Sequence, residues 1–229
     1  MPGLENKNVV VTGGGTGIGE ACALSLAQAG ANVVVGGRRQ APLEAVSAQS
    51  EGKISFHTID VADRQSVSAF FDWANEKLGH IDILVHCAGI NCRERSMEVV
   101  SGEDWDKLMA VNATGAFNCM QGVLPQMRER QDGLIVNICS VSGIRAGLLG
   151  GVAYNASKFA MAALGTTVAQ EEKDRGVRIS TIYPGEVETP ILDERPVPVS
   201  KEHRAKILQP EDVAAAVQMI CQLPPRAHV

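Results

Sequence analysis

The sequence has no excess of positive charge and no long apolar run. Its 229 residues include 21 Lys and Arg against 26 Asp and Glu, which gives a formal net charge of −5 at pH 7. A chain with this balance has no basic field to attract phosphate backbones, so we expect neither nucleic acid nor a membrane surface as a partner. A membrane-spanning helix needs about 18 consecutive apolar residues, and the sequence contains no such run.

Paired cysteines are also missing. The six cysteines lack the CxxC spacing of zinc sites and redox motifs, so we predict small core residues in a reducing compartment. They are Cys22, Cys87, Cys92, Cys119, Cys139 and Cys221. The five histidines show no metal-ligand spacing, and no metal site is predicted. The polar stretch 1–8 carries Glu5 and Lys7 where a secretory signal would be apolar, which indicates a cytoplasmic protein.

Short apolar runs alternate with longer amphipathic segments along the whole chain. The runs predicted as strands are 8–12, 32–36, 53–58, 81–86, 133–139 and 177–182. The clearest helix is 64–78, where apolar residues recur on one face behind a capping Asp63, and the last begins at Pro210. Alternation of this kind predicts an α/β fold with a doubly wound parallel sheet, the Rossmann fold, in a single domain over residues 1–229. The proline-rich stretch 184–209 is predicted to be a substrate loop.

The junction between the first strand and the first helix is rich in glycine. The string runs Thr12-Gly13-Gly14-Gly15-Thr16-Gly17-Ile18-Gly19. Without Cβ atoms the backbone can turn sharply and approach a pyrophosphate, which the free N–H groups of the helix start can bind. A cluster of glycines can also be an ordinary tight turn, but its position between a strand and an amphipathic helix favours a nucleotide site.

Tyr154 and Lys158 lie one helical turn apart, so both side chains face the same way. A free tyrosine phenol has a pKa of about 10, and a lysine ammonium at about 4 Å lowers such a pKa substantially only where the effective dielectric is near 20. In a partly desolvated cleft this pair can therefore supply an acid or base. The alternative is a solvated pair with no chemical role.

The end of the second strand bears on the choice of dinucleotide. An NAD site needs a carboxylate there to accept a hydrogen bond from the ribose 2′-hydroxyl, but this chain has Gly37 followed by Arg38 and Arg39. A guanidinium can bind a 2′-phosphate through charge-assisted hydrogen bonds, so NADP(H) is favoured over NAD(H), with Arg38 as the main contact. The alternative is two solvated arginines ahead of a helix beginning near Pro42.

These motifs resemble those of the short-chain dehydrogenase/reductase family, including its 3-oxoacyl-carrier-protein reductases. The glycine string is similar to that family's TGxxxGIG motif, Tyr154 and Lys158 to its YxxxK motif, and 184–189 to its PGxVxT segment. Asp60-Val61 is similar to the acidic site beside the adenine, and 86–89 looks like a variant of NNAG in which His86 and Cys87 replace two asparagines. In this order the motifs span residues 12 to 189.

The resemblance implies roles for particular residues. Tyr154 would exchange the proton with the substrate oxygen, Lys158 would also bind the nicotinamide ribose, Ser140 would bind the carbonyl and Asn112 would help to hold a water relay. The cofactor-binding residues would be Gly13, Thr16, Gly17, Ile18, Gly19, Arg38, Arg39, Asp60, Val61, Ala88, Gly89, Tyr154, Lys158, Pro184, Gly185, Val187 and Thr189. It further implies a homodimer or homotetramer formed through the long helices near 104–130 and 154–174.

Two assignments near the tyrosine stay open. Ser140 stands 14 residues before Tyr154, one more than in close relatives, and Ser142 offers a competing hydroxyl. The string Ser140-Val141-Ser142-Gly143 fits the family's SxxG and favours Ser140, with an extra residue placed in the 147–151 loop. The stretch 93–95 and Arg145 could line a substrate pocket or be solvated.

The predicted function is that of an NADP(H)-dependent oxidoreductase acting on a small carbonyl or secondary alcohol. Hydride would pass between the nicotinamide and the carbonyl carbon, with Tyr154 as the acid or base. A non-catalytic NADP(H)-binding sensor or interaction protein is the alternative, and it would bind cofactor without turnover. An epimerase or dehydratase using the same tyrosine would need a larger substrate domain than 184–209 provides.

Overall fold

Runs of valine and isoleucine form a central parallel sheet. Its strands are β1 (Asn8–Thr12), β2 (Asn32–Gly37), β3 (Ile54–Thr58), β4 (Ile83–His86), β5 (Gly133–Ile138) and β6 (Val177–Ile182), paired in the order β3-β2-β1-β4-β5-β6. The computed structural model describes residues 3–227 and 229. Met1 and Pro2, at the start of the polar N-terminal stretch, and His228, one of the five histidines, lie outside the described residues. The predicted strands are all present, with bounds within two residues of those expected.

Helices cover both faces of the sheet. They are α1 (Gly17–Gln28), α2 (Gln40–Ala48), α3 (Arg64–Leu78), α4 (Gly102–Leu108), α5 (Gly115–Arg130), α6 (Val152–Glu172), α7 (Lys201–Arg204) and α8 (Pro210–Gln222). A π-helical segment, Met109–Thr114, joins α4 to α5, and short 3-10 helices lie at Val141–Gly143 and Pro190–Glu194. Within the described part of the chain, no helix is long and apolar enough to cross a membrane.

The helix over 64–78 is present with the bounds that its period predicts. Asp63 caps it by accepting a hydrogen bond at Oδ1 from the Gln65 N–H at 2.9 Å. Val67, Phe70 and Phe71 are buried, because recurrence every three to four residues directs them to one face. This helix therefore packs its apolar side against the sheet.

Each face of the sheet has its own apolar core, since alternate strand residues point to opposite sides. On one face, Val9 and Val11 pack with residues of α1 and α8, such as Leu26 and Val217. On the other face, the core around Val10 contains residues of α3 and α5. Five of the six cysteines are buried and Cys87 is half-buried, all with free thiols, as the sequence predicts. Burial on both faces leaves the strand ends as the place for a site.

The segment 184–209 is more ordered than its proline content suggests. It contains the 3-10 helix Pro190–Glu194 and α7, and Val187 forms an isolated parallel bridge with Leu208. Arg204 pairs with Glu188 at 2.8 Å and with Asp193 at 2.6 Å. Because these contacts connect both ends of the segment to its middle, it forms a compact, ordered loop after β6.

Candidate active site

A cleft of about 1020 Å³ opens at the carboxyl ends of the strands. It lies where the strand order changes direction between β1 and β4, which is where open α/β sheets bind their ligands. Every residue predicted to bind cofactor lines this cleft, together with Ser140, Tyr154 and Lys158. The structure therefore brings residues separated by as many as 176 positions, Gly13 to Thr189, into one space.

The glycine loop forms one wall of the cleft. Gly13 has a φ of +68°, and a Cβ there would lie 2.8 Å from the backbone nitrogen of Ala88. Gly17, with a φ of +57°, begins α1, and the side chain of the N-cap residue Thr16 accepts no hydrogen bond from the first turn. The first N–H groups of α1 thus face the cleft without a side-chain cap, an arrangement that fits the pyrophosphate of a dinucleotide.

Arg38 and Arg39 lie at the end of β2, on the same side of the cleft as Asp60 and Val61. Both arginines are exposed, and within residues 3–227 neither makes an ion pair. Asp60, in contrast to the two arginines, makes a contact within its own loop: its Oδ1 accepts a hydrogen bond from the Ala62 N–H at 3.0 Å. The arginine side chains are thus free to contact a charged group on the ribose.

Lys158 is buried beneath the middle of the cleft. Only 3% of the residue is exposed, and its Nζ donates to the Ile138 carbonyl at 3.2 Å and contacts Met161 Sδ at 3.7 Å. The same Nζ lies 5.7 Å from the centre of the Tyr154 ring. The tyrosine is half-buried on the preceding turn of α6 and faces the cleft. The predicted pair therefore lies in the partly desolvated setting that its chemistry requires.

Both candidate serines line the cleft. Ser140 directly follows β5 and Cys139, and its Oγ accepts a hydrogen bond from the Ser142 N–H at 3.1 Å, which starts the 3-10 helix Val141–Gly143. The Ser142 side chain faces the 147–151 loop, since a Cβ on Gly150 would lie 3.0 Å from its Oγ. Ser140 is thus held by the backbone at a strand end, whereas Ser142 contacts the loop that carries the extra residue.

Asn112 lies behind the cleft wall and does not line it. It is fully buried in the π-helical segment, where its Oδ1 accepts from the Ile90 N–H at 2.8 Å. Its Nδ2 donates to the Ile90 carbonyl and to Ser157 Oγ, both at 3.0 Å. Asn112 therefore connects the loop after β4 to α6, on which Tyr154 and Lys158 lie.

The segment 184–189 lines the cleft next to the glycine loop. Pro184 and Gly185 follow β6, and the Pro184 carbonyl accepts from the Val141 N–H at 3.0 Å. Thr189 lies against the first turn of α1, because a Cβ on Gly17 would lie 3.0 Å from Thr189 Cγ2. The glycine string and the segment 184–189, which are the first and last of the sequence motifs, are therefore in contact.

A short-chain dehydrogenase family model matches residues 7–197, most of the chain. The chain belongs to the short-chain dehydrogenase family. The chain is similar to the 3-oxoacyl-(acyl-carrier-protein) reductase FabG of Thermotoga maritima, with 34% identity over 222 residues that cover 93% of this chain and 89% of the relative. The chain is thus an oxidoreductase by descent, as its motifs predict.

Two solved structures show the same fold. The 3-ketoacyl-(acyl-carrier-protein) reductase from Brucella melitensis, complexed with NADH, is 28% identical with a TM-score of 0.91, and 98% of this chain and 95% of that one are covered. The alcohol dehydrogenase from the archaeon Thermococcus sibiricus, complexed with 5-hydroxy-NADP, is 29% identical with a TM-score of 0.87 over 97% and 93% of the two chains. The first of these proteins therefore binds NADH, and the second binds a derivative of NADP.

His86, which replaces an asparagine of the family's NNAG motif, is buried in this short-chain dehydrogenase. Its Nδ1 lies 2.9 Å from Thr12 Oγ1, while its Nε2 has no hydrogen-bond partner among the described residues. Burial, with a smaller contribution from the Lys158 charge, lowers its pKa to about 3. The imidazole is therefore neutral at physiological pH and lies within the sheet, at the end of β4. Among the residues described, no three His, Cys, Asp or Glu side chains form a metal-binding group.

We expect His86 to make the protein less stable in mild acid. As the pH falls below about 6.5, the unfolded histidine takes up a proton but the folded one, with its pKa of about 3, does not. Between pH 7 and pH 5 this should lower the free energy of unfolding by about 2 kcal/mol. Urea denaturation at both pH values measures the loss, which His86→Asn should remove and which the exposed-site variant His57→Asn should retain. An equal loss in His86→Asn would show that another group is responsible.

The sequence did not show which arginines would be buried. The sequence left open whether Arg95 and Arg145 line a substrate pocket or are solvated. Arg95 is buried in the cleft wall, whereas Arg145 lines the cleft but is exposed. Arg195, which no motif pointed to, also lines the cleft. A lone charge in a loop carries no periodic signal, so only the folded arrangement places these residues.

Proposed function

We propose that this short-chain dehydrogenase transfers hydride between NADP(H) and a small carbonyl compound or secondary alcohol, with Tyr154 as the acid or base. The observation that supports this most directly is the convergence of Ser140, Tyr154 and Lys158 on the cleft that the glycine loop borders. Relatives that bind NADH and 5-hydroxy-NADP add support for a nicotinamide cofactor.

The bound nicotinamide would supply or accept the hydride. In the reductive direction the Tyr154 phenol donates its proton to the carbonyl oxygen, and the Ser140 hydroxyl stabilises the charge that develops there. Lys158, whose Nζ donates to the Ile138 carbonyl, would act electrostatically on the Tyr154 hydroxyl and would bind the ribose hydroxyls of the cofactor. Asn112 positions α6 through its bonds to Ile90 and Ser157. The segment 184–209 covers the substrate and limits the access of water.

The proposal is tested by NADPH oxidation with a panel of ketones, oxo acids and 3-oxoacyl thioesters. Steady turnover with at least one class supports the redox function. Tight NADPH binding without turnover on any member of the panel would instead support the non-catalytic sensor, and conversion of substrate with no net change in the cofactor spectrum would support an epimerase.

The NADP(H) preference predicts the effect of a charge reversal at the end of β2. In Arg38→Asp a carboxylate replaces the guanidinium, so it can bind a ribose 2′-hydroxyl and repels a 2′-phosphate. We expect the ratio of kcat/KM for NADPH over NADH to fall at least tenfold, since a charge-assisted hydrogen bond contributes about 1.5–3 kcal/mol. Steady-state kinetics with both cofactors measures it. Lys77→Asp makes the same charge change at an exposed position on α3 and should leave the ratio of the two kcat/KM values unchanged. An unaltered ratio in Arg38→Asp would remove the basis for NADP(H).

A homodimer or homotetramer and a cytoplasmic location remain predictions. Trp105, Phe117 and Phe159 expose large aromatic side chains on α4, α5 and α6, the helices through which the resemblance implies assembly. Such side chains favour contact with a second copy of the chain.

A further inference from the structure

Arg95 is a buried cation whose protein partners are all neutral. Only 8% of the residue is exposed. Its Nε donates to the Cys92 carbonyl at 2.7 Å, Nη1 to the Leu149 carbonyl at 2.7 Å and Nη2 to the Glu194 carbonyl at 2.9 Å. Within residues 3–227 no carboxylate lies at ion-pair distance from it. A guanidinium has five N–H donors, so two are left for a further partner.

A buried charge of this kind is costly unless an opposite charge compensates it. Burial lowers the pKa of Arg95, and the neighbouring guanidinium of Arg195 lowers it further. The fold therefore places two cations close together in the cleft wall. An anion between them would relieve both effects.

Arg195 is itself incompletely neutralised. Its side chain is 14% exposed, and its one ion pair among the described residues joins Nη2 to Glu186 Oε2 at 3.4 Å. The same carboxylate oxygen lies 2.7 Å from His203 Nε2, so two side chains share it. Arg195 also directly follows Glu194, whose carbonyl binds Arg95. The two guanidinium groups thus belong to one patch of the cleft wall, which we name the arginine pair.

The arginine pair lies on the substrate side of the cleft, close to Tyr154. The Arg95 carbonyl accepts from the Val152 N–H at 3.0 Å, at the start of α6 and two residues before Tyr154. Arg95 and Tyr154 line the same cleft, and Tyr154 packs against a cluster that contains Cys92, whose carbonyl accepts from Arg95 Nε. Arg38 and Arg39 lie at the far end of the cleft, after β2. A cofactor phosphate and the arginine pair therefore occupy different ends of the site.

We propose that the substrate is an oxo or hydroxy carboxylate, whose carboxylate binds to Arg95 and Arg195 while its carbonyl lies at Tyr154. The planar fork of a guanidinium matches a carboxylate and binds it through two parallel hydrogen bonds. This inference rests on the proposed redox function and specifies its substrate class. A neutral ketone or ester would leave Arg95 without a carboxylate partner in a desolvated wall.

Matched acids and esters test the inference. Acetoacetate and 2-oxobutyrate are compared with their methyl esters and with the neutral N-acetylcysteamine thioester of acetoacetate, using NADPH and the full-length protein. The acids should have a kcat/KM at least about tenfold above that of the neutral compounds, because a charge-assisted hydrogen bond changes affinity by about tenfold to a hundredfold. A neutral ester or thioester that reacts as well as its acid would overturn the inference and leave the redox function intact.

Substitution of Arg195 tests the site itself. Arg195→Gln should lower kcat/KM for the acid about tenfold or more, mainly through KM, and change the ester less than about threefold, while Arg195→Lys should restore part of the loss. Lys206→Gln removes one positive charge from the same 184–209 segment without lining the cleft and should change neither. Equal losses for acid and ester would indicate a purely structural role for Arg195 and would overturn its assignment.

A binding measurement separates failure of the inference from failure of the redox function. If no carbonyl compound turns over, the redox function fails, but titration calorimetry with butyrate and butyramide in the presence of NADP⁺ still tests the arginine pair. Butyrate should bind at least about tenfold more tightly than butyramide in the wild type and lose this advantage in Arg195→Gln. Equal affinity of the two compounds in the wild type would overturn the inference.

Discussion

Tyr154→Phe should lower kcat by a hundredfold to about ten-thousandfold while cofactor affinity stays within about threefold. The phenol is the proton donor in the proposed reaction, and general acid catalysis contributes a factor of this size. The ring should stay in place, since it packs beside a small apolar cluster of Cys92, Leu108 and Ala153 that phenylalanine can also contact. Steady-state kinetics gives kcat, and NADPH fluorescence titration gives the dissociation constant.

The chain offers a matched control in its only other tyrosine. Tyr183 follows β6, does not line the cleft, and is partly buried, which raises the pKa of its phenol. Tyr183→Phe removes the same hydroxyl and should leave kcat within about twofold. Should Tyr154→Phe retain more than a tenth of wild-type turnover, the proton-transfer role of Tyr154 would have to be abandoned.

Local pattern was sufficient to predict the elements that build this site. The apolar spacing over 64–78 and the capping Asp63 predicted α3 with its observed bounds, because both signals act within a few residues. The glycine string and the Tyr154–Lys158 spacing placed the site at the strand ends, since parallel strands must all end at the same edge of the sheet. What these signals have in common is that they depend on neighbours in sequence.

The features that local pattern did not predict depend on distant residues. Arg95 is buried by carbonyl groups 54 and 99 positions away as well as by one nearby, so nothing in the stretch 93–95 distinguishes it from Arg93. The π-helical segment at Asn112 is likewise connected to Ile90 and Ser157, which are 22 and 45 positions away. The short helices within 184–209 are held by ion pairs of Arg204. Such contacts exist only after the sheet has brought these segments together.

Lys158→Met should lower kcat/KM about a hundredfold without lowering the free energy of unfolding. A charge at the 5.7 Å that separates Lys158 Nζ from the Tyr154 ring centre contributes about 3 kcal/mol at an effective dielectric of about 20, which corresponds to about that change in rate. Stability should hold because, among the described residues, the buried ammonium makes hydrogen bonds only to a carbonyl oxygen and a thioether, and methionine fills a similar volume without the cost of burying a charge. Kinetics and urea denaturation at pH 7 measure the two effects.

The same variant has a spectroscopic signature that a general disturbance of the cleft would not produce. Since the Lys158 charge is one of the two causes that lower the pKa of His86, its removal should raise that pKa, observed by NMR titration of the imidazole. Lys107→Met, which removes an exposed cation from the α4 side of the cleft, should alter neither the titration nor kcat/KM by more than about threefold. If Lys158→Met raises the His86 pKa but leaves kcat/KM near normal, then the wild-type ammonium acts on His86 and not on the reaction. That result would overturn the catalytic role of Lys158.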